Sequence, residues 1–260
     1  MPNSYGSFVW YELMTSDPKA AEAFYRDVVG WEAQAAPMGV PGMEYTLLMA
    51  GPTRVAGLMA IPAEAAAMGA RPGWIGYVGV ESVDAAAAKV RDLGGAIYKE
   101  PTDIPGVGRF AVVADPQGAT FAMFKWQAPA SDMPPAAPDA VGHVGWHELF
   151  AGDLEPAFDF YATMFGWTKA DAIPMGEMGV YQLFAHDGVP IGGMMTKPAQ
   201  APKPYWNYYF NVDSVAAAIE RVKRHGADII VAPMQVPGGS WIMQGRDPQQ
   251  ALFALVSKSA

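Results

Sequence analysis

A long internal repeat constrains the fold of this chain more than any other feature of its sequence. The segment 10–31 returns at 146–167, and nine of the 22 aligned pairs are identical. A second block, 101–121, returns at 233–253 with eight of 21 pairs identical. A repeat of about 130 residues is the size of a whole domain, which is too long for one solenoid unit. The sequence therefore predicts two copies of one fold.

A proline-rich stretch separates the two copies. Four prolines lie between residues 128 and 140, where no apolar periodicity is present. Proline fixes φ and removes a backbone donor, so this stretch is typical of an extended connector. We predict domains at 1–127 and 141–260, joined by a linker at 128–140.

The composition excludes several classes of protein. With 260 residues, of which 51% are hydrophobic, the chain can build two cores of ordinary size. It has no apolar run long enough to span a bilayer and no cysteine, which excludes disulfides and thiolate metal sites. The net charge of −9 argues against nucleic acids and anionic membranes as partners. The first residues lack the pattern of a secretion signal, so a cytoplasmic location is predicted.

Each copy shows the same order of predicted elements. A short alternating strand leads to a helix that begins at Asp17 or Asp153 and ends at Gly30 or Gly166, where glycine can take positive φ. Three short strands follow, and then a second unit of one strand, one helix and three strands. The pattern predicts an α+β fold built from four βαβββ modules, two in each tandem domain.

These motifs resemble those of the vicinal oxygen chelate superfamily, which includes glyoxalase I, the bleomycin-resistance proteins and the extradiol dioxygenases. The resemblance lies in a helix that contains Phe-Tyr and is followed by Gly-Trp, and in a closing strand after Asp-Pro-x-Gly or Asp-Pro-x-Gln. It covers nearly the whole chain, twice. It implies that each pair of βαβββ modules forms a cup-shaped, mainly antiparallel sheet with the site in its hollow.

The resemblance also implies where a divalent metal would bind, and the residues at those positions are unsuited to it. The positions fall on Trp10 and Trp146, on Ile75 and Asn207, within 57–59 and 193–195, and on Ala122 and Ala254. Among these, Asn207 alone offers an oxygen, and one weak ligand does not hold a metal. The four histidines show no helical i, i+4 pair. We therefore predict no metal and no other cofactor, with a divalent metal as the alternative.

Two glutamates are the candidate catalytic residues. Glu12 and Glu148 occupy the same position in the two copies, two residues beyond Trp10 and Trp146. Strand alternation places each glutamate on the same face as its tryptophan. A carboxylate walled by aromatic rings could serve as a general base. The other interpretation is structural, with each glutamate accepting strand hydrogen bonds or pairing with an arginine such as Arg109.

Aromatic residues at strand starts are the candidate ligand-binding groups. The predicted set is Trp10, Trp74, Tyr77, Trp146, Trp206, Asn207 and Tyr208. Core packing explains any one of these aromatic rings, while an aromatic-lined hollow explains their repetition. The loops at 37–45 and 174–181 could close over a ligand or could be plain hairpin connections.

Two functions are the main interpretations of this sequence, and a third alternative is that one or both domains serve only as scaffolding. The first is metal-independent binding of a small apolar or aromatic ligand, which the acidic balance allows to be cationic. The second is a glyoxalase-like lyase or isomerase, or another enzyme of the superfamily, that uses Glu12 and Glu148 or a non-standard metal site. For partners we expect pairing of the two domains within the chain, without nucleic acid or membrane.

Overall fold

A computed structural model describes residues 5–37, 44–127 and 137–259. In these ranges the chain forms sixteen strands and five α-helices. In the first repeat these are β1 (Phe8–Thr15), α1 (Pro18–Val29), β2 (Glu32–Pro37), β3 (Glu44–Ala50), β4 (Thr53–Ala60), α2 (Ala63–Ala67), β5 (Gly73–Gly79), α3 (Val83–Asp92), β6 (Ala96–Ile104), β7 (Gly108–Ala114) and β8 (Thr120–Trp126). In the second they are β9 (Val144–Ala151), α4 (Leu154–Phe165), β10 (Thr168–Pro174), β11 (Val180–His186), β12 (Val189–Thr196), β13 (Tyr205–Asn211), α5 (Val215–Arg224), β14 (Asp228–Gln235), β15 (Trp241–Arg246) and β16 (Leu252–Ser257).

The elements form four βαβββ modules, as the sequence predicts, and we number them 1 to 4 in chain order: β1–β4, β5–β8, β9–β12 and β13–β16. The strand order is β2-β3-β4-β1-β5-β8-β7-β6 in one eight-stranded sheet and β10-β11-β12-β9-β13-β16-β15-β14 in the other. Within each module the first and last strands pair in parallel, and the remaining neighbours pair antiparallel. The predicted α+β class is confirmed, and both sheets are mixed.

The helix boundaries follow from local side-chain chemistry. The Asp17 side chain accepts a hydrogen bond from Ala20 N at the start of α1, at 3.1 Å. Asp153 begins α4, but its side chain makes no capping bond, and its own N–H donates to Gln117 Oε1 instead. Both helices end at a glycine in the left-handed region, with φ of 88° at Gly30 and 72° at Gly166.

The chain divides into two compact units, and each unit combines one module from either repeat. Unit 1 contains Met1–Val9, Ile75–Pro134 and Trp146–Trp206, and unit 2 contains Trp10–Trp74, Pro135–Gly145 and Asn207–Ala260. In unit 2, helix α1 of the first repeat packs on α5 of the second. In unit 1, α3 of the first repeat packs on α4 of the second.

Each unit is held together by a buried hydrogen-bonded chain of tryptophan, tyrosine and aspartate. In unit 2, Trp74 Nε1 donates to the Tyr25 hydroxyl at 2.8 Å, and Tyr25 donates to Asp247 Oδ2 at 3.0 Å. The Asp247 carboxylate also accepts from two backbone N–H groups of its own turn. The Phe-Tyr motif of one repeat therefore binds the Asp-Pro turn of the other. We call this arrangement a latch.

Unit 1 repeats the latch with equivalent residues. Trp206 Nε1 donates to the Tyr161 hydroxyl at 3.0 Å, and Tyr161 donates to Asp115 Oδ2 at 3.1 Å. Tyr161 also packs edge-on against Trp206 and stacks with Trp167. Burial raises the pKa of both Asp115 and Asp247, and their hydrogen bonds partly oppose the rise.

Some parts of the structure go beyond the sequence predictions or outside the described residues. Helix α2 lies in an alanine-rich segment for which no helix was expected. Most of the predicted linker, 128–136, and most of the first predicted closing loop, 38–43, lie outside the described residues. The second loop contains one 3-10 turn, Gly176–Met178. No helix in the described ranges is long and apolar enough to cross a membrane.

Candidate functional site

The first candidate site is a hydrogen-bonded triad on module 1, within unit 2. Trp10 Nε1 donates to the Tyr45 hydroxyl at 3.1 Å, and that hydroxyl donates to Glu12 Oε2 at 2.9 Å. Strand β1 supplies the tryptophan and the glutamate two residues apart, so both side chains lie on one face of the sheet. We call the face with this triad the triad face, and the opposite one the helix face.

The second candidate site is the same triad on module 3, within unit 1. Trp146 Nε1 donates to the Tyr181 hydroxyl at 2.8 Å. Tyr181 and Glu148 are joined by a side-chain hydrogen bond. Glu12 and Glu148 are 9% and 7% exposed, while both tryptophans are half-buried. The predicted pairing of each glutamate with its tryptophan on one face is therefore present in both modules.

Glycines make room for the two tyrosine rings. Gly57 lies opposite Glu12 in the parallel pairing of β1 with β4, and Gly193 lies opposite Glu148 in the other repeat. A Cβ built on Gly57 would overlap the Tyr45 hydroxyl, and one on Gly193 would overlap the Tyr181 ring. Any residue larger than glycine would therefore displace the tyrosine from its triad.

The electrostatics of the triads keep the phenols protonated. Burial raises the pKa of Tyr45, and the neighbouring charge of Glu12 raises it further. Burial and the charge of Glu148 raise the pKa of Tyr181 in the same way. Each phenol is therefore a neutral hydroxyl that keeps its proton and donates a hydrogen bond to the glutamate.

The tryptophan and the tyrosine of each triad are poorly suited to bind a divalent metal. An indole N–H has no lone pair to donate, and a phenol binds a metal as phenolate, which the raised pKa disfavours. The tyrosine rings also fill the space over Gly57 and Gly193, where the family resemblance places another ligand. Over the described residues, no group of three or more His, Asp or Glu side chains could hold a metal ion.

Asn207 is the one predicted ligand position with an oxygen, and it is 3% exposed in unit 2. Its Oδ1 has no hydrogen-bond partner among the described residues. On the same strand, the Tyr209 hydroxyl accepts from Gln244 Nε2 at 2.6 Å. Ala254 lies at the position that the family resemblance gives to the last metal ligand. It is fully buried, and its methyl side chain has no atom that could bind a metal. This module therefore contributes one amide oxygen.

Two of the predicted binding tryptophans lie in latches. Trp74 donates to Tyr25 and packs against Trp31 and Phe210. Trp206 donates to Tyr161 and is 6% exposed. Both side chains point to the helix face, where they join an aromatic core. This placement favours core packing for both tryptophans, so the structure does not bring them to Trp10 or Trp146.

The two predicted binding tyrosines are also separated by the structure. Tyr208 is 1% exposed and packs edge-on against Tyr11 within unit 2, on the helix face. Tyr77 lies in unit 1 with Phe110 and Phe124 as ring neighbours. Tyr208 is thus a core residue, and Tyr77 belongs to an aromatic cluster of module 2.

Arg109, named above as a possible partner of the glutamates, and His147, the chain neighbour of Glu148, have other partners. Arg109 donates to Asp84 and Asp103 at 2.8 and 2.9 Å, which accounts for its charge. His147 lies beside Glu148 in sequence but on the helix face, where it stacks on Phe8 at 3.9 Å. Burial lowers the pKa of His147 to about 4, although its hydrogen bond with the Ile191 carbonyl opposes the shift.

Two surface clefts in unit 1 lie away from the triads. One, of about 590 Å³, lies along the β6–β7 hairpin and the end of β8, where Arg109, Lys125 and Trp126 contribute to its wall. The other, of about 390 Å³, lies between the Asp115 turn and α4. The Lys125 amine donates to the Glu81 carbonyl. Each cleft has one carboxylate in its lining, Asp103 in the first and Asp159 in the second, so neither offers a carboxylate pair.

Sequence reasoning missed Tyr45 and Tyr181, which join each tryptophan to its glutamate. A signal for them was present, because both follow the repeat offset of 136 residues, as do Gly57 and Gly193. Strand alternation predicts faces but not which neighbouring strand supplies a partner. The triads therefore required the pairing register to be known.

Comparison with known proteins identifies the family. A model of the Glyoxalase/Bleomycin resistance protein/Dioxygenase superfamily matches residues 7–123 and 140–255, one match for each repeat. The chain belongs to this superfamily.

Full-length relatives share less than a third of the sequence. The chain is 29% identical over 248 residues to the "Putative glyoxylase CFP32" of Mycobacterium tuberculosis, which covers 95% of this chain and 93% of the relative. It is 28% identical over 264 residues to the "Anthracycline biosynthesis protein DauV" of a Streptomyces species, with coverage of 96% and 93%.

Solved structures share the fold. The Mn(II)-bound glyoxalase from Novosphingobium aromaticivorans superposes with a TM-score of 0.65 at 19% identity, over 97% of this chain and 81% of that one. A mutant 4-hydroxymandelate synthase from Streptomyces coelicolor gives 0.64 at 15% identity, over 99% and 93%. At these identities the likeness concerns the fold alone.

Proposed function

We propose that this chain binds a planar, partly apolar small molecule on its triad faces without a metal ion. The observation that carries the proposal is the replacement of metal-binding groups by the Trp–Tyr–Glu triads, in both repeats and with the same geometry. Retention of a full hydrogen-bonded triad at equivalent positions is consistent with a shared role in binding.

The neighbours of each triad suit an apolar ligand. By strand register, Met14, Leu47 and Met59 surround the first triad. Phe150, Leu183 and Met195 surround the second. Thioethers adapt their shape to a ligand, and half-buried indoles offer flat surfaces for stacking. The name of the Streptomyces relative, an anthracycline biosynthesis protein, supports a polycyclic aromatic ligand.

A metal assay combined with a binding assay tests this proposal. Protein purified from medium with added Mn, Fe, Co, Ni and Zn should contain far less than one metal ion per repeat by mass spectrometry. The neutral anthracycline aglycone daunomycinone should quench tryptophan fluorescence in a saturable way, equally with and without EDTA. One metal ion per repeat, or binding that EDTA abolishes, would overturn the proposal.

A second candidate is an enzyme of the lyase or isomerase type that uses Glu12 or Glu148. The observation in its favour is the Tyr–Glu hydrogen bond, which places a carboxylate and a protonated phenol side by side as base and acid. The name of the mycobacterial relative, a putative glyoxylase, is in line with it. Turnover of methylglyoxal with glutathione that is lost in Glu148→Gln, but kept in the exposed control Glu155→Gln, would favour this candidate.

A further inference from the structure

We infer that the two triad sites are unequal, and that the ring of Tyr205 makes the site in unit 1 the one that selects a planar aromatic ligand. This inference rests on the proposed function and names the residue that sets its specificity. The site in unit 1 contains the triad of Trp146, Glu148 and Tyr181, and the site in unit 2 contains the equivalent residues of module 1.

A stacked pair of rings lies next to the triad of unit 1. Phe150 follows Glu148 by two residues on β9, so its side chain shares the triad face. The Tyr205 ring stacks on Phe150, with ring centroids 4.8 Å apart and an angle of 21° between the ring planes. Phe150 is 8% exposed, whereas Tyr205 is half-buried. Tyr205 is therefore the accessible ring of the pair, and Phe150 is the residue that positions it.

Strand register places Phe150 and Tyr181 on either side of one methionine. Phe150 lies opposite Met195 on β12, and the pairing of β11 with β12 puts Tyr181 on the other side of Met195. Two interstrand spacings make the distance between the two outer backbones about 10 Å. A planar ligand over the flexible thioether of Met195 would therefore have aromatic groups at both of its ends.

The equivalent row of module 1 lacks the ring pair. Met14 lies opposite Met59 in the pairing of β1 with β4. In the alignment of the two repeats, Met14 stands at the position of Phe150, and Gly73 stands at the position of Tyr205. A thioether and a glycine have no ring that could stack on a ligand. The site in unit 2 should therefore bind a planar aromatic molecule more weakly.

Backbone packing does not require glycine at position 73. Among the described residues beyond its chain neighbours, a Cβ built on Gly73 would come within 4 Å of the Arg71 carbonyl oxygen alone, at 3.9 Å, which is an ordinary contact. Gly73 begins β5, just as Tyr205 begins β13. The two sites therefore differ in their side chains at this position, and the missing ring can be added by substitution.

Alanine at one glycine disables one triad and leaves a chain with a single site. Gly57→Ala would displace Tyr45 and leave the site in unit 1, and Gly193→Ala would displace Tyr181 and leave the site in unit 2. Titration with daunomycinone, followed by tryptophan quenching, should show about threefold to tenfold tighter binding by the Gly57→Ala chain, which is the gain expected from a ring–ring contact. Circular dichroism confirms that each variant is folded.

Substitutions at position 205 assign the difference to the ring. In the Gly57→Ala chain, Tyr205→Leu keeps an apolar side chain without a ring and should weaken daunomycinone binding by about threefold to tenfold. Tyr205→Phe keeps the ring and should weaken binding by less than about twofold. Tyr98→Leu, at a 46% exposed tyrosine on β6 of the same unit, is the matched control and should leave the affinity unchanged.

Adding the ring pair to module 1 tests the same assignment by a gain of affinity. Met14→Phe combined with Gly73→Tyr, made in the Gly193→Ala chain, should tighten daunomycinone binding by about threefold to tenfold. Met14→Phe alone should have a smaller effect, because Phe150 acts by positioning Tyr205.

The results that would overturn the inference differ from those that would overturn the proposed function. Equal affinity of the two single-site chains, or the same loss in Tyr205→Leu as in Tyr205→Phe, would overturn the inference and leave metal-independent binding intact. Where an alanine variant fails to fold, Tyr205→Leu in the wild-type chain replaces it, and an unchanged titration curve would overturn the inference. A wild-type chain that does not bind daunomycinone removes the inference and the proposed function together.

Discussion

The triads and the latches are made of the same groups in the same order but lie in different surroundings. In both, a tryptophan N–H donates to a tyrosine hydroxyl, which donates to a carboxylate. In both latches the hydrogen-bonded chain joins two modules and its aspartate is buried, with Trp206 6% exposed in unit 1 and Trp74 half-buried in unit 2. In the triads the tryptophan is half-buried and all three groups come from one module. The constellation alone therefore does not mark a functional site, and the triads differ from the latches in that each lies within one module.

The largest expected difference between the two arrangements is in the cost of removing a tryptophan. Trp206→Ala should lower the free energy of unfolding by about 3–5 kcal/mol, because it leaves a cavity in an aromatic core and an unpaired hydroxyl. Trp146→Ala should cost about 1–2 kcal/mol, since its half-buried ring leaves less of a cavity. Urea unfolding followed by circular dichroism measures both. Equal losses for the two variants would mean that the triads are structural too.

His147 gives a second measurable difference between the two faces of strand β9. It is neutral and buried on the helix face, where burial lowers its pKa from the usual 6.5 to about 4. Because the unfolded chain binds the proton more readily, stability is full above pH 6.5 and falls as the pH drops towards 4. The free energy of unfolding should fall by about 3 kcal/mol between pH 6.5 and pH 4.

Asparagine at this position tests the origin of the pH dependence. His147→Asn keeps an N–H donor for the Ile191 carbonyl and removes the titration. Its free energy of unfolding should therefore vary about 3 kcal/mol less between pH 6.5 and 4 than that of the wild type. His225→Asn, at a more exposed histidine paired with Asp27, is the control. A wild-type profile that is flat over this interval would contradict the buried neutral state.

The sequence predicted local features well because their chemistry is local. The glycine ends of α1 and α4 and the shared face of Trp10 and Glu12 follow from φ preferences and from strand alternation. The repeat and its motifs predicted the four modules and their family. The helix ends and the shared face need only the chain neighbours of each residue, and the repeat needs only a comparison of the chain with itself.

The features that sequence did not predict depend on distant parts of the chain. Trp74 and Trp206 open strands just as Trp10 and Trp146 do, yet they point to the helix face and enter latches. The latch partners lie 222 residues apart for Tyr25 and Asp247. Composition gives no hint of such pairs. A repeated tyrosine and a repeated glycine, once placed in register, would have predicted the triads.

The smallest expected difference comes from removing one hydroxyl from each arrangement. Tyr161→Phe leaves the Trp206 N–H and Asp115 Oδ2 without their partner inside the latch, so it should cost about 1–3 kcal/mol of unfolding free energy. Tyr181→Phe breaks the equivalent bonds on the half-buried triad face, where water can replace the hydroxyl, so the cost should stay below about 1 kcal/mol. For ligand affinity we expect the opposite order. Tyr181→Phe should lose more affinity than Tyr161→Phe, because only Tyr181 belongs to a proposed binding site. Urea unfolding and daunomycinone titration of the same two variants measure both orders. If Tyr181→Phe lowers the free energy of unfolding but leaves the ligand affinity unchanged, the triad has a structural role like that of the latches.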